Sequence, residues 1–219
     1  MNQRLRIMLR NWSEVLLDRF LTLFLVRETI KSGWPITGKL KLLKLIYLAE
    51  GRMVKEGVKG FNYNFYRWDY GPFSHELLKD YEYLVDNGLL KESDHNIHLT
   101  DKGFEVLENC RQLIEKNEEI IDYIRKVIKE FGPYTGKKIK KVVYDIPEIG
   151  EKKLISETVH GEELLRKIEA DEAKKFFLID DEWLETMAIM MDKELSSSLE
   201  RGLKDAKEGK IKRYAPLQG

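Results

Sequence analysis

Few residues in this chain have types and spacings that could do chemistry. His95 and His98 stand three apart and could form half of a metal site, but neither a cysteine nor a third histidine lies near them in sequence, so they read as loop histidines. The carboxylate runs Glu162-Glu163 and Asp180-Asp181-Glu182 could serve a metal or acid–base step. The second is explained as well by Asp180 or Asp181 capping a helix that starts at Trp183. Gly136-Lys137-Lys138 lacks both the upstream glycine and the Ser/Thr after Lys of a phosphate-binding loop. The single cysteine, Cys110, excludes an intramolecular disulfide and has no sequence neighbour that would activate it. The expectation is therefore a protein that binds rather than catalyses, with no catalytic residue, metal or cofactor.

Charge is the next source of function. The formal net charge is zero, yet residues 1–67 hold 13 Lys/Arg against 5 Asp/Glu, and residues 68–110 hold 3 against 10. Lys39, Lys41, Lys44 and Arg52, continued by Lys55 and Lys59, are the candidate nucleic-acid-binding residues, with Lys137, Lys138, Lys140 and Lys141 as a second basic run. Such runs are more often solvated faces. Ser74 to Asp86, by contrast, carries Glu76, Asp80, Glu82 and Asp86 against Lys79 alone, a face that DNA phosphates would repel. Phe65, Tyr66, Trp68 and Tyr70 could form a base-stacking platform, although aromatics at strand spacing are more often core.

The elements that must position these residues follow from periodicity. Val15 to Val26 is apolar at helical spacing but interrupted by Asp18 and Arg19, so it reads as a core helix and not a membrane span. Leu40 to Leu48 predicts a second helix ending near Gly57, and Phe61 to Tyr70 an extended aromatic segment closed by Gly71-Pro72, with Tyr70 packed in the core beside the turn. Ser74 caps a third helix that stops at Asn87-Gly88. Leu89-Leu90 and Ile97 to Leu99 then form a hairpin, and Thr100-Asp101 starts a helix to about Asn109. Helices followed by a hairpin make a winged-helix-like arrangement. Leu113 to Phe131 continues as a long helix stopped by Gly132-Pro133, with further helices expected at 137–144, 161–170 and 182–207 and a strand candidate at Phe176 to Ile179. The fold class is mainly α with a small β hairpin: residues 1–131 a winged-helix-like domain with a long trailing helix, and 132–219 a helical C-terminal region.

In the last helix, Trp183, Leu184, Met187, Met191, Leu195, Leu199 and Leu203 form an apolar stripe ahead of a basic tail. Met-rich faces are adaptable binding surfaces. Met187, Met191, Leu199 and Leu203 are the candidate partner-binding residues.

Two stretches together resemble a known family. Lys41-Leu42-Leu43-Lys44-Leu45-Ile46-Tyr47-Leu48-Ala49-Glu50-Gly51, then Phe65-Tyr66-Arg67-Trp68-Asp69-Tyr70-Gly71-Pro72-Phe73-Ser74, are similar to the Panacea-type (SocA-like) antitoxins and related prokaryotic winged-helix proteins. The Tyr-Gly-Pro turn after an aromatic strand, about 20 residues past the Lys-rich helix, is the most specific part. The resemblance covers roughly residues 37–147. It implies a toxin-neutralising or similar regulatory protein whose partner is a toxin encoded nearby, with a winged-helix DNA-binding regulator as the alternative. A cytoplasmic location, with no membrane attachment, is expected because no small-residue cleavage pattern follows the first apolar run. A homodimer is one oligomeric arrangement left open.

Overall fold

The structure, a computed structural model, describes residues 9–145 and 154–210. It is mainly helical with three small sheets. Helix α1 (Trp12–Lys31) runs through the centre, with Phe20, Leu21, Leu23, Phe24, Leu25 and Val26 all fully buried. An element apolar on every side must be covered on every side, and α1 is packed by α2 (Gly38–Glu56), α3 (His75–Asp86), α4 (Asp101–Asn109), α6 (Glu118–Phe131) and α8 (Asp181–Met191). Its start is fixed by a reciprocal cap in which the Asn11 side chain accepts from the Glu14 amide and the Glu14 carboxylate accepts from the Asn11 amide.

Between α1 and α2 lies β1 (Ile36–Thr37), and α2 is followed by β2 (Val58–Lys59), β3 (Phe65–Trp68) and β4 (Gly71–Phe73). Helix α3 is capped by Ser74, whose hydroxyl accepts from the Leu77 amide. The hairpin of β5 (Leu90–Ser93) and β6 (Asn96–Leu99) forms as its pattern predicts, and β1 adds to β6, giving the antiparallel order β1-β6-β5. Thr100 caps α4 by accepting from the Gly103 amide at 3.1 Å.

The remaining chain departs from expectation in four places. The stretch from Leu113 to Phe131 is two helices, α5 (Arg111–Lys116) and α6, because Asn117 leaves the helical path: its amide group bonds the Leu113 and Leu178 carbonyls and accepts from the Leu178 amide. Residues 161–170 contain no helix. Instead β7 (Glu163–Leu165) pairs antiparallel with β3 and buries Leu164 and Leu165, a case of an available strand edge overriding local helical pattern. The helix expected over 182–207 breaks at Asp192, whose extended backbone ends α8 and whose carboxylate caps α9 (Lys193–Lys207) through the Glu194 and Leu195 amides. Tyr70 is 63% exposed rather than packed in the core, since the turn projects past the sheet. The strand candidate near Phe176 is present as β8 (Lys175–Phe176), parallel to β2.

Residues on both sides of position 132 share one core. Helix α7 (Gly136–Asp145) buries Ile139 and Val143 against α2, and α8 buries Leu184, Met187 and Met191 against α1 and α4. Among the described residues no helix is long and apolar enough to cross a membrane.

Backbones approach closely where α4 meets the start of the hairpin: a Cβ on Gly103 would run into the Leu89 carbonyl. On an open helix Gly→Ala gains roughly 1 kcal/mol. Here Gly103→Ala is expected to destabilise by about 1 to 3 kcal/mol, because the obstacle is backbone that cannot swing away. Urea denaturation checks it, and a more stable variant would show that α4 does not pack this tightly.

Candidate functional site

The apolar stripe expected in the last helix divides at Asp192. Met187 and Met191 are fully buried, because positions 184, 187 and 191 form the inward face of α8. They are core, not partner surface, and removing the chain from Asp181 onward would strip three core side chains. The break at Asp192 turns α9 outward, and no residue of α9 is buried. Leu195, Leu199 and Leu203, spaced by four on one face, are 49%, 48% and 54% exposed. At 1.5 Å per residue they make an apolar ridge about 12 Å long. Its base is tied down by the Ser196 hydroxyl donating to the Ile189 carbonyl at 2.6 Å and by the Tyr83 hydroxyl donating to Asp192. The basic tail past residue 210 lies outside the described residues.

The candidate nucleic-acid residues do not share a surface. Lys41 is buried and donates to the Pro35 and Gly132 carbonyls, each at 2.7 Å. Lys44 is buried and donates to the Pro72 carbonyl at 2.6 Å. Both ammonium groups face inward because their positions on α2 lie on the face covered by α7 and the β3–β4 turn. Lys39 is exposed, 4.9 Å from the Tyr81 ring centre, and Arg52 pairs with Glu130. The outer face of α3 presents His75, Lys79, Glu82 and Asp86, one lysine against two carboxylates.

Other candidates are structural. Asp180 accepts from the Trp183 amide as a cap, Glu162 accepts from the Val159 amide, and Glu163 lies in β7. His95 sits at the hairpin turn with φ of +61° and His98 on β6 opposite Lys91. Among the described residues no group of three His, Cys, Asp or Glu side chains is placed to hold a metal ion. Cys110 is buried, which pushes its thiol up to about 12 and leaves it unreactive. Of the four aromatics considered as a stacking platform, Phe65 is core, edge-on to Tyr47 at 5.2 Å, Tyr66 is half-buried, and Trp68 and Tyr70 are exposed.

Sequence reasoning missed an internal polar lattice that holds the aromatic segment. Asp18, fully buried on α1, accepts from Arg10 at 2.7 Å and from both the backbone and side-chain amides of Asn62. Asp80 on α3 accepts from Arg10, Arg19 and the Tyr63 hydroxyl at 2.6, 2.9 and 3.1 Å. Burial raises Asp18 to about 7 in spite of Arg10. A second knot joins Glu14 to Lys59 and Lys167 at 2.7 and 2.8 Å. The signal was an aspartate in the middle of an apolar helix, which needs a partner wherever it is buried.

The third feature is a basic cluster at the Tyr-Gly-Pro turn. Gly71 has φ of +88°, and a Cβ there would lie 3.0 Å from the Tyr144 ring and 3.6 Å from the Lys44 ammonium. Arg67 lies opposite Pro72 in the β3–β4 ladder, with its guanidinium 4.9 Å from the Tyr144 ring centre. Lys140 on α7 is 4.6 Å from the Tyr70 ring centre and 5.6 Å from that of Tyr144. Burial first, then Lys140 and Arg67, bring the Lys44 ammonium down to about 7.

Against known proteins, residues 42–148 match the family described as antitoxin SocA-like, Panacea domain. Neither the curated proteins nor the solved structures searched contain a match to the chain. The matched stretch includes Lys44, the Tyr70-Gly71-Pro72 turn, Lys140 and Tyr144, whereas α1 and α9 fall outside it.

Two outcomes are expected from these charges. Asp80→Ala removes the carboxylate of Arg19 and one of those that hold Arg10 in a largely buried site, and should cost about 3 to 5 kcal/mol; a loss below 1 kcal/mol in chemical denaturation would mean the lattice is solvated. Lys44 carries a folded-state pKa below its unfolded value, so its charged form weakens the fold fully below about pH 7, and that penalty fades as pH rises toward 10.5. Wild-type stability should therefore gain roughly 1 to 3 kcal/mol relative to Lys44→Met between pH 7 and pH 10. A stability difference that stays constant over that range rules the buried ammonium out.

Proposed function

We propose that this protein, whose residues 42–148 match the antitoxin SocA-like, Panacea domain family, is a non-enzymatic cytoplasmic regulator that neutralises a protein toxin encoded by a neighbouring gene. The observation that carries the reading is α9: a helix with no buried residue whose leucine ridge faces solvent while its base is pinned to α8 and α3. A solvated terminal helix gains nothing from three half-exposed leucines in line, whereas an amphipathic helix that enters a partner's groove needs such a row. Ser196, Ser197, Ser198 and Gly202 beside the ridge let a partner surface approach closely.

A second reading has one observation in its favour. The order α1, β1, α2, α3, β5, β6, with β2 to β4 inserted between α2 and α3 and β1 paired on β6, supports a winged-helix-like reading, in which α3 would enter the major groove. The outer face of α3 argues against DNA as the ligand, since one lysine and two carboxylates cannot release counterions from phosphates. The inward placement of Lys41 and Lys44 removes two more cations from that role. The winged-helix half then serves as the rigid platform from which α9 projects.

The test is growth rescue and pull-down with the toxin encoded beside the gene. Leu199→Asp combined with Leu203→Asp should leave the melting temperature within about 2 °C of wild type, because neither side chain is buried. The same variant should lose toxin affinity at least about a hundredfold, the scale for two interface anchors. Full rescue by the variant would move the docking surface elsewhere. Salt-dependent DNA binding by a wild-type protein that ignores the toxin would favour the second reading.

A further inference from the structure

Surface lysines elsewhere in this fold meet carboxylates, as Lys126 meets Asp122 and Lys175 meets Glu119. Helix α7 differs. It carries Lys137, Lys138, Lys140 and Lys141 against the one carboxylate of Asp145 at its end, and none of these lysines has an ion-pair partner among the described residues. Ile139 and Val143 take the inward face, so Lys137, Lys141 and Tyr144 fall on the opposite one, with Lys140 and Lys138 on its two flanks. Each flank meets an aromatic ring. The Lys140 ammonium is 4.6 Å from the Tyr70 ring centre, and that of Lys138 is 3.8 Å from the Tyr134 ring centre. Along the outer face runs an open groove of about 320 Å³ lined by Lys137, Lys140, Lys141, Tyr144 and Asp145. Tyr70, 63% exposed at the tip of the β3–β4 turn, stands beside it, with Trp68 exposed on the preceding strand.

A cationic groove with an exposed aromatic ring at its side is the combination that single strands use, phosphates on the lysines and bases on the rings. We propose that the outer face of α7 and the β3–β4 turn bind single-stranded nucleic acid, its phosphates on Lys137, Lys140 and Lys141 and an unpaired base stacked on Tyr70. The cations that make these contacts line the groove themselves. Lys137 and Lys141 stand one turn apart, about 6 Å along the helix, which limits the contact to two or three phosphates. Asp145 closes the end of the groove and repels a phosphate there. An acidic peptide would use the lysines and leave the Tyr70 ring in water, and a duplex keeps its bases stacked on one another and offers that ring no face. The acidic outer face of α3 takes no part, so this surface is distinct from major-groove reading by a winged helix. It is separate from the leucine ridge of α9 as well, and its failure would leave the toxin-neutralising reading untouched.

The experiment is fluorescence anisotropy of the full chain with a labelled thymidylate dodecamer at a series of sodium chloride concentrations. Binding should weaken with salt at a log–log slope of about 2, the value for three phosphates of a single strand. Lys137→Gln combined with Lys141→Gln should weaken binding at least about tenfold and lower the slope by about 1. Tyr70→Ala should weaken it roughly five- to a hundredfold and leave the slope unchanged, because stacking releases no counterions. All three side chains are exposed, so the variants should keep the wild-type melting temperature. No binding at about 50 mM salt, or binding unchanged in the double lysine variant, overturns the proposal. So does a duplex of the same length that binds more tightly than the single strand, or a glutamate dodecamer that binds as tightly and is indifferent to Tyr70→Ala.

Discussion

A carboxylate buried in the middle of the central helix constrains the rest of the molecule. Asp18 is fully buried on α1, and an ionisable group there is tolerated only if other elements bring donors to it. Two do so: the segment before α1 supplies Arg10 and the loop ahead of β3 supplies Asn62, while α3 joins through Asp80, which shares Arg10. Asp80 in turn takes the Tyr63 hydroxyl and Arg19. One polar knot thereby fixes the angle of α3 on α1 and the course of the aromatic segment between α2 and α3. That segment carries Phe61, Tyr63 and Phe65 into the core before the chain reaches the exposed turn at Tyr70.

What could be read in the sequence is what depends on local physics. The first four helices, the caps at Ser74, Thr100 and Asp180 and the 90–99 hairpin all follow from spacing and capping chemistry, and the structure has them. The resemblance to the antitoxin SocA-like, Panacea domain family was legible too, from the Lys-rich helix and the Tyr-Gly-Pro turn, over nearly the residues that match its model. The failures depend on distant partners. Glu163–Leu165 is a strand because β3 offers it an edge about 100 residues away in sequence, and Asn117 ends a helix because Leu178 is there to bond it. Met187 and Leu199 look alike in a helical projection; the carboxylate at Asp192 that turns the chain between them decides that one is core and the other is surface.

The ridge on α9 and the cluster at the Tyr-Gly-Pro turn differ in physical character. The ridge on α9 is apolar, outside the matched family stretch and attached to the body through side-chain hydrogen bonds at its first turn. The cluster at the Tyr-Gly-Pro turn is cationic, lies inside the matched stretch, and is built from a strand, a turn and two helices that pack on one another. The positive φ at Gly71 lets Lys44 and Tyr144 approach the same point of backbone, which a side chain at that position would occupy.

The charge asymmetry along the chain acquires its meaning only in three dimensions. The basic excess of residues 1–67 and the acidic excess of residues 68–110 suggest a positive surface beside a negative one. In the fold some of them are each other's partners. Arg10 meets Asp80 and Glu76, Arg19 meets Asp80, and Arg27 meets Glu108, while Lys41 and Lys44 turn to backbone carbonyls. Charges spent on internal pairing at such distances cannot also release counterions from a nucleic acid. The segment that looked most like a phosphate-binding face is therefore consumed in holding α1, α2 and α3 together. The β3–β4 turn and α7 bring together cations from positions 44, 67 and 140, with no ion pair to any of them among the described residues, a convergence invisible to any count along the sequence.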